Sequence, residues 1–117
     1  MEIPLTIADH LRRAEVVYGD RIAIIDEPDQ VASPLPDLTY ARTAELSRAM
    51  AAGLDAMGLD MGARVAMVSH NAARMLVFLF GTSAFGRVGV PIKFRLNVEE
   101  VQYIVDHSGA DVLLMDP

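Results

Sequence analysis

At 117 residues the chain has the length of one domain or of part of one. Hydrophobic residues make up 52% and charged residues 22%, a globular mixture with material for a sizeable core and too apolar for intrinsic disorder. The 16 acids outnumber the 10 lysines and arginines, and the resulting net charge of −6 excludes nucleic-acid phosphate and anionic lipid as expected partners.

In chain order, residues 6–18 read as a helix. Thr6 is placed to cap it, Asp9 sits in the first turn where the helix dipole favours an acid, and Ile7, Leu11, Ala14 and Tyr18 recur on one face. Gly19 ends it. Residues 22–25 form a β-branched apolar run, hence a strand. The stretch EPDQVASPLPD, with Pro28, Pro34 and Pro36, is expected as a surface loop, and residues 38–40 as a strand pairing back in a hairpin. A long helix over 41–57 follows, closed by Gly58 as a left-handed cap; its expected core stripe is Leu46, Met50, Gly53 and Met57, flanked by small alanines that suggest a close neighbour.

From there the pattern becomes regular. Gly62 makes a turn, 65–68 is a strand, and 71–85 is a helix apolar on every side, which needs cover all round. Residues 88–92 form a strand interrupted by Gly89 and Pro91. Residues 97–108 form a helix with an Asn97–Glu100 capping box, an apolar face of Val98, Val101, Ile104 and Val105, and a cap at Gly109. Residues 112–115 form a last strand, expected at a sheet edge. Strand–helix–strand–helix–strand with short connections predicts an α/β domain with a parallel sheet and right-handed crossovers. The apolar surface of the helix at 71–85 exceeds what so few elements are expected to cover, so the segment reads as cut from something larger.

Cysteine is absent, which removes disulfides, thiolate metal sites and a thiol nucleophile together and fits a reducing compartment. The opening MEIPLTIADHLRR lacks a charged leader followed by an apolar stretch, so no secretory signal is expected. The longest uncharged run, residues 75–86, falls short of the about 20 apolar residues a membrane span requires. The expected location is cytoplasmic.

The sequence carries no complete active-site motif. There is no G-x-x-x-x-G-K-[ST], no G-x-G-x-x-G and no G-x-S-x-G. His10, His70 and His107 lack metal-ligand spacing. His70 follows a predicted parallel strand, where ligands tend to sit, and reads as either a polar strand-end residue or a functional one. Asp26 and Glu27 are expected as a solvated turn, and Glu99 and Glu100 as first-turn acids. The cluster Lys93-Phe94-Arg95-Leu96 lies between a strand and a helix N-cap. Its two cations form either an anion site or a solvated pair.

In order, the phrases YGDRIAIID, LTYARTAELSRAMAAGLDAMGL, GARVAMVSHNAARMLVFLFGTSAFGRVGVPI and KFRLNVEEVQYIVDHSGADVLLMDP resemble the start of AMP-forming acyl-CoA synthetases. That superfamily also holds aryl-CoA ligases, luciferases and peptide-synthetase adenylation domains; the last phrase looks most like bacterial fatty-acyl-CoA synthetases. The resemblance implies a partial three-layer domain: a parallel βαβαβ core plus an N-terminal helix and hairpin, an incomplete N-terminal subdomain (residues 1–117) of a large adenylation domain. It implies the reaction of a carboxylate with ATP to acyl-AMP and pyrophosphate, then with coenzyme A to acyl-CoA and AMP. The cofactors ATP, Mg2+ and coenzyme A and a carboxylic (fatty) acid substrate belong to the full-length enzyme. The family's phosphate loop, acyl pocket and C-terminal domain lie beyond these residues. This chain alone is therefore expected to be scaffold, with no catalytic residue, no metal and no cofactor of its own. Its expected partner is the remainder of the same polypeptide, with self-association through exposed apolar surface. In related CoA ligases the arginine of an N-P-R-L phrase approaches the CoA nucleotide phosphates. Arg95 matches that arginine, with Lys93 as a further candidate, although Phe94 replaces the proline and Lys93 the asparagine. The alternatives are a complete small flavodoxin-like binding or signalling domain, with Asp26-Glu27 as an acidic pair, and a non-enzymatic structural piece.

Overall fold

The computed structural model describes residues 5–116. Helix α1 (Ile7–Tyr18) is followed by β1 (Ile22–Ile24), β2 (Leu38–Thr39), α2 (Tyr40–Ala56), β3 (Arg64–Ser69), α3 (Ala73–Ser83), β4 (Val88–Lys93), α4 (Val98–Ser108) and β5 (Val112–Met115). The expected elements are all present, with ends displaced by one or two residues. Strand β4 runs unbroken through Gly89 and Pro91. It lies at an edge of the sheet, where a missing ladder N–H is tolerated.

Local chemistry sets the helix ends. Thr6 and Asp9 form a capping box on α1, and Asn97 and Glu100 form one on α4. Gly109 closes α4 in the left-handed region at φ 67°, and Gly58 follows α2 at φ 79°.

Strands β3, β4 and β5 form a parallel sheet in the order β4-β3-β5, while β1 and β2 pair antiparallel in a sheet of their own. The α/β expectation with its parallel core and hairpin therefore holds. The flavodoxin-like alternative does not: it would place the first strand inside the parallel sheet, with Asp26-Glu27 at its carboxyl edge. Crossovers from β3 to β4 and from β4 to β5 run in opposite directions across the sheet. Right-handedness then puts α3 and α4 on opposite faces, giving three layers.

The core sits on the α2/α3 face. Leu54, Val65, Met67 and Phe78 form its buried cluster, with Met50, Leu59, Met75, Leu79, Val112 and Leu114 packed around it. The stripe expected on α2 is corrected here. Gly53 and Met57 are exposed, and the buried residues are Thr43, Ala44, Ser47, Ala51 and Leu54. Helices α2 and α3 approach closely where Gly81 of α3 meets Met50 of α2: a Cβ on Gly81 would lie 2.9 Å from the Met50 Cβ. The buried hydroxyls cost little, since Thr43 donates to the Thr39 carbonyl at 2.8 Å, Ser47 to Thr43 at 2.7 Å and Thr82 to Phe78 at 2.8 Å.

The second face is thinner. Side chains alternate along a strand, so Ala66, Val68, Ile92, Leu113 and Met115 point away from α2 and α3. Helix α4 packs against β4 and buries none of its own residues completely. Val98, expected on its apolar face, is 83% exposed. Around α3 the cover is also partial: Leu76 is exposed and Val77, Leu79 and Phe80 are half-buried. No helix among the described residues is long and apolar enough to cross a membrane.

Candidate functional site

In a parallel α/β sheet, ligands gather at the carboxyl ends of the strands, where loops converge and helix N-termini point inward. Here those ends bring together Ser69 and His70 after β3, the Lys93–Leu96 turn after β4, and Asp116 after β5. The Ser69 hydroxyl lies 2.9 Å from both Asp116 Oδ2 and the His70 carbonyl oxygen and shares its single proton between them. The Arg74 guanidinium stands 3.9 Å from the nearly buried Asp116 carboxylate and donates to the Ser33 carbonyl at 2.7 Å. This polar seam ties β3, β5, α3 and the proline-rich loop to one another.

Both predicted site residues lie in the turn after β4. The Leu96 N–H donates to the Lys93 carbonyl at 3.3 Å, which leaves Phe94 and Arg95 as the central residues of a four-residue turn. Lys93 and Arg95 are exposed. Among the described residues neither stands within ion-pair distance of a carboxylate. The turn is braced by aromatic contacts. The Phe94 ring stacks on His70 with centroids 3.7 Å apart, and the Arg95 Cζ lies 5.4 Å from the Phe94 centroid. The following helix start is committed to its own cap: Glu100 N–H donates to Asn97 Oδ1 at 2.8 Å and Asn97 N–H to Glu100 Oε2 at 3.1 Å. Attraction of an anion to this turn rests on the two side-chain cations, and the first-turn acids Glu99 and Glu100 oppose it.

Neither cation lines the two clefts beside α3. A cleft of about 540 Å³ lies between the hairpin and α3, lined by Ile24, Ile25, Asp26, Pro28, Met75 and Leu76 among others. A second, of about 330 Å³, lies between the proline-rich loop, α2 and α3. Among the described residues no three histidine or carboxylate side chains converge as a metal site would require.

Two polar residues carry structural roles that sequence reasoning missed. Asp26 is not a solvated turn residue: it is only 8% exposed. Its Oδ1 accepts from the Ala73 N–H at 2.9 Å and the Glu27 N–H at 3.0 Å, and its Oδ2 accepts from the Leu35 N–H at 2.9 Å. It thereby supplies from a distance the cap that Ala72, the N-cap of α3, cannot provide. Burial pushes the Asp26 carboxyl up, yet these N–H donors and the Gln30 amide outweigh it and hold the group below the usual carboxylate range. Arg87 is buried with its guanidinium on the Asp55 carboxylate and the Leu59 carbonyl, 2.6 Å away. The Ala73 N–H that Asp26 holds lies 47 residues away and the Asp55 carboxylate that holds Arg87 lies 32 residues away, so no local signal marks these contacts.

The sequence pattern of the family described as "AMP-binding enzyme" matches residues 7–117. A long-chain-fatty-acid–CoA ligase of Thermus thermophilus is 32% identical over 122 aligned residues, which take in 100% of this chain and 21% of that protein. A feruloyl-CoA synthase of an Amycolatopsis species is 40% identical over 80 residues, 68% of this chain and 16% of that one. Among solved structures, the inhibitor-bound N-terminal domain of FACL13 from Mycobacterium tuberculosis superposes with a TM-score of 0.80 at 31% identity, over 94% of this chain and 26% of that one. The chain thus spans about a fifth of the length of the curated relatives it matches.

Proposed function

The chain belongs to the AMP-binding enzyme family, and from that membership we propose that it is the first subdomain of an ATP-dependent acyl-CoA synthetase. The whole enzyme joins a carboxylic acid to ATP, releasing pyrophosphate, and passes the activated acyl group to the thiol of coenzyme A with release of AMP. A carboxylate is a poor electrophile, and conversion to a mixed anhydride with AMP supplies the leaving group. The observation that carries this reading is the family match, which runs through nearly the whole chain while covering about a fifth of each matched relative. In this proposal residues 1–117 are scaffold. The phosphate loop, acyl pocket, C-terminal domain and Mg2+ ligands come from the rest of the polypeptide, whose docking covers apolar surface that in the isolated chain drives self-association. Relatives named for long-chain fatty acids support a fatty acid as substrate, and the absence of cysteine supports a cytoplasmic setting.

Within this chain, Arg95 and Lys93 are assigned to the phosphates of coenzyme A. The donor set suits that group: two exposed cations without carboxylate partners among the described residues, one of them a planar guanidinium, stand on one short turn at the carboxyl edge of the sheet.

The test uses the protein encoded by the whole gene. Fatty-acid-dependent exchange of pyrophosphate into ATP reads the first half-reaction, and CoA-dependent release of AMP reads the second. Arg95→Ala is expected to lower the second about tenfold or more, as loss of a charge-assisted contact should, and to leave the first intact. Equal losses in both would remove Arg95 from the CoA site. Exchange missing from the whole protein, or present in residues 1–117 alone, would overturn the assignment of this chain as a synthetase scaffold.

A further inference from the structure

We infer that His70 is a positioning residue for Arg95 and acts through the ring of Phe94; the inference rests on the reading of Arg95 as a phosphate contact given above. The parallel register carries the argument. Its last pair along β3 and β4 is Ser69 with Lys93, so one step further brings residue 70 level with residue 94. There the imidazole and phenyl rings stack, with centroids 3.7 Å apart and planes at 26°. Phe94 and Arg95 are the central residues of the turn closed by Leu96 on Lys93, and the Arg95 guanidinium lies over the same Phe94 ring.

A four-residue turn at the margin of a sheet has several backbone arrangements open to it. A ring stacked on the end of the neighbouring strand removes most of them. The neighbour is β3, the central strand, and its end is itself held, with the Ser69 hydroxyl 2.9 Å from the His70 carbonyl oxygen and from Asp116. His70 therefore transmits the rigidity of the sheet centre to a turn that would otherwise be ordered only when the phosphate arrives. A guanidinium already in place loses less conformational freedom on binding. His70 is not itself a phosphate contact, and it acts before the ligand binds.

The test again uses the whole protein. Calorimetric titration with coenzyme A, in the presence of an unreactive acyl-adenylate analogue, gives the dissociation constant; pyrophosphate exchange without coenzyme A gives the first half-reaction. His70→Ala and Phe94→Leu are each expected to weaken CoA binding roughly three- to tenfold, the scale of one lost aromatic pair, with exchange within about twofold of the parent. His70→Phe, which keeps a ring to stack, should restore binding. In an Arg95→Ala background, His70→Ala should add nothing further. Parental CoA affinity in His70→Ala, failure of His70→Phe to rescue, or additive losses with Arg95→Ala would each overturn the link. Should His70→Ala lose its fold by circular dichroism, Phe94→Leu, on a partly exposed turn, decides alone: parental affinity there overturns the proposal. Parental affinity in Arg95→Ala would overturn the phosphate assignment and this inference with it. Weakened Arg95→Ala beside parental His70→Ala would overturn the His70 link alone.

Discussion

On one face of the parallel sheet, Val65 and Phe78 are almost entirely sealed, 0% and 1% exposed, by two helices that approach closely at Gly81. On the other, one helix covers β4 and leaves Met115 of β5 70% exposed. The strands themselves are similarly apolar. Cover depends on where the crossover helices land: α2 and α3 share one face, whereas α4 packs against β4 and leaves β5 open. Burial is complete at the centre of the packed face, whereas on the other it reaches Ala66 and Ile92 and fails at β5.

The largest expected effect tests that asymmetry directly. Phe78→Ala should destabilise the protein by about 3–5 kcal/mol, read as a lowered midpoint in urea denaturation, because it empties the centre of the sealed face. A cost below about 1 kcal/mol would mean that the α2/α3 face does not hold the fold. An intermediate effect is expected at Asp26, which ties the hairpin and the proline-rich loop to the start of α3. Asp26→Asn leaves N–H groups without a charged acceptor and should cost about 2 kcal/mol near neutral pH. Because the folded carboxyl titrates below its unfolded value of about 3.9, its contribution is present above that pH and is lost as the pH falls through the lower, folded value. Parent and variant should therefore converge in stability from about pH 5 toward pH 2. A gap of constant size through that range would remove the charge from the account. The smallest effect belongs to the open face. Val98→Ser, at a position 83% exposed, should change the urea midpoint by no more than about 0.5 kcal/mol equivalent.

Much of the candidate site was legible in one dimension. Lys93 and Arg95 are neighbours in sequence, and Asn97 and Glu100 announce the helix that follows them. The brace was not legible, because His70 and Phe94 meet only through the register of two strands separated by a helix. The stripe of α2 differs from the expected one for a related reason. Met50 does pack on the core, but Gly53 and Met57 face solvent and the buried line runs through Ala44, Ser47, Ala51 and Leu54, a choice made by a neighbouring helix and sheet that lie far off in sequence. Asp26 read as a loop acid since its main partner, the Ala73 N–H, lies 47 residues away.

Interactions that close within one helical turn, such as the Thr6–Asp9 and Asn97–Glu100 boxes and the left-handed glycines, depend on neighbours in the chain. The sequence by itself therefore determined the elements, their approximate ends and the alternation that makes the sheet parallel. The order β4-β3-β5, the inward face of α2, the remote cap from Asp26 and the His70–Phe94 stack were decided by tertiary structure alone. Each is a contact between distant segments, and its free energy exists only once burial and register have brought those segments together.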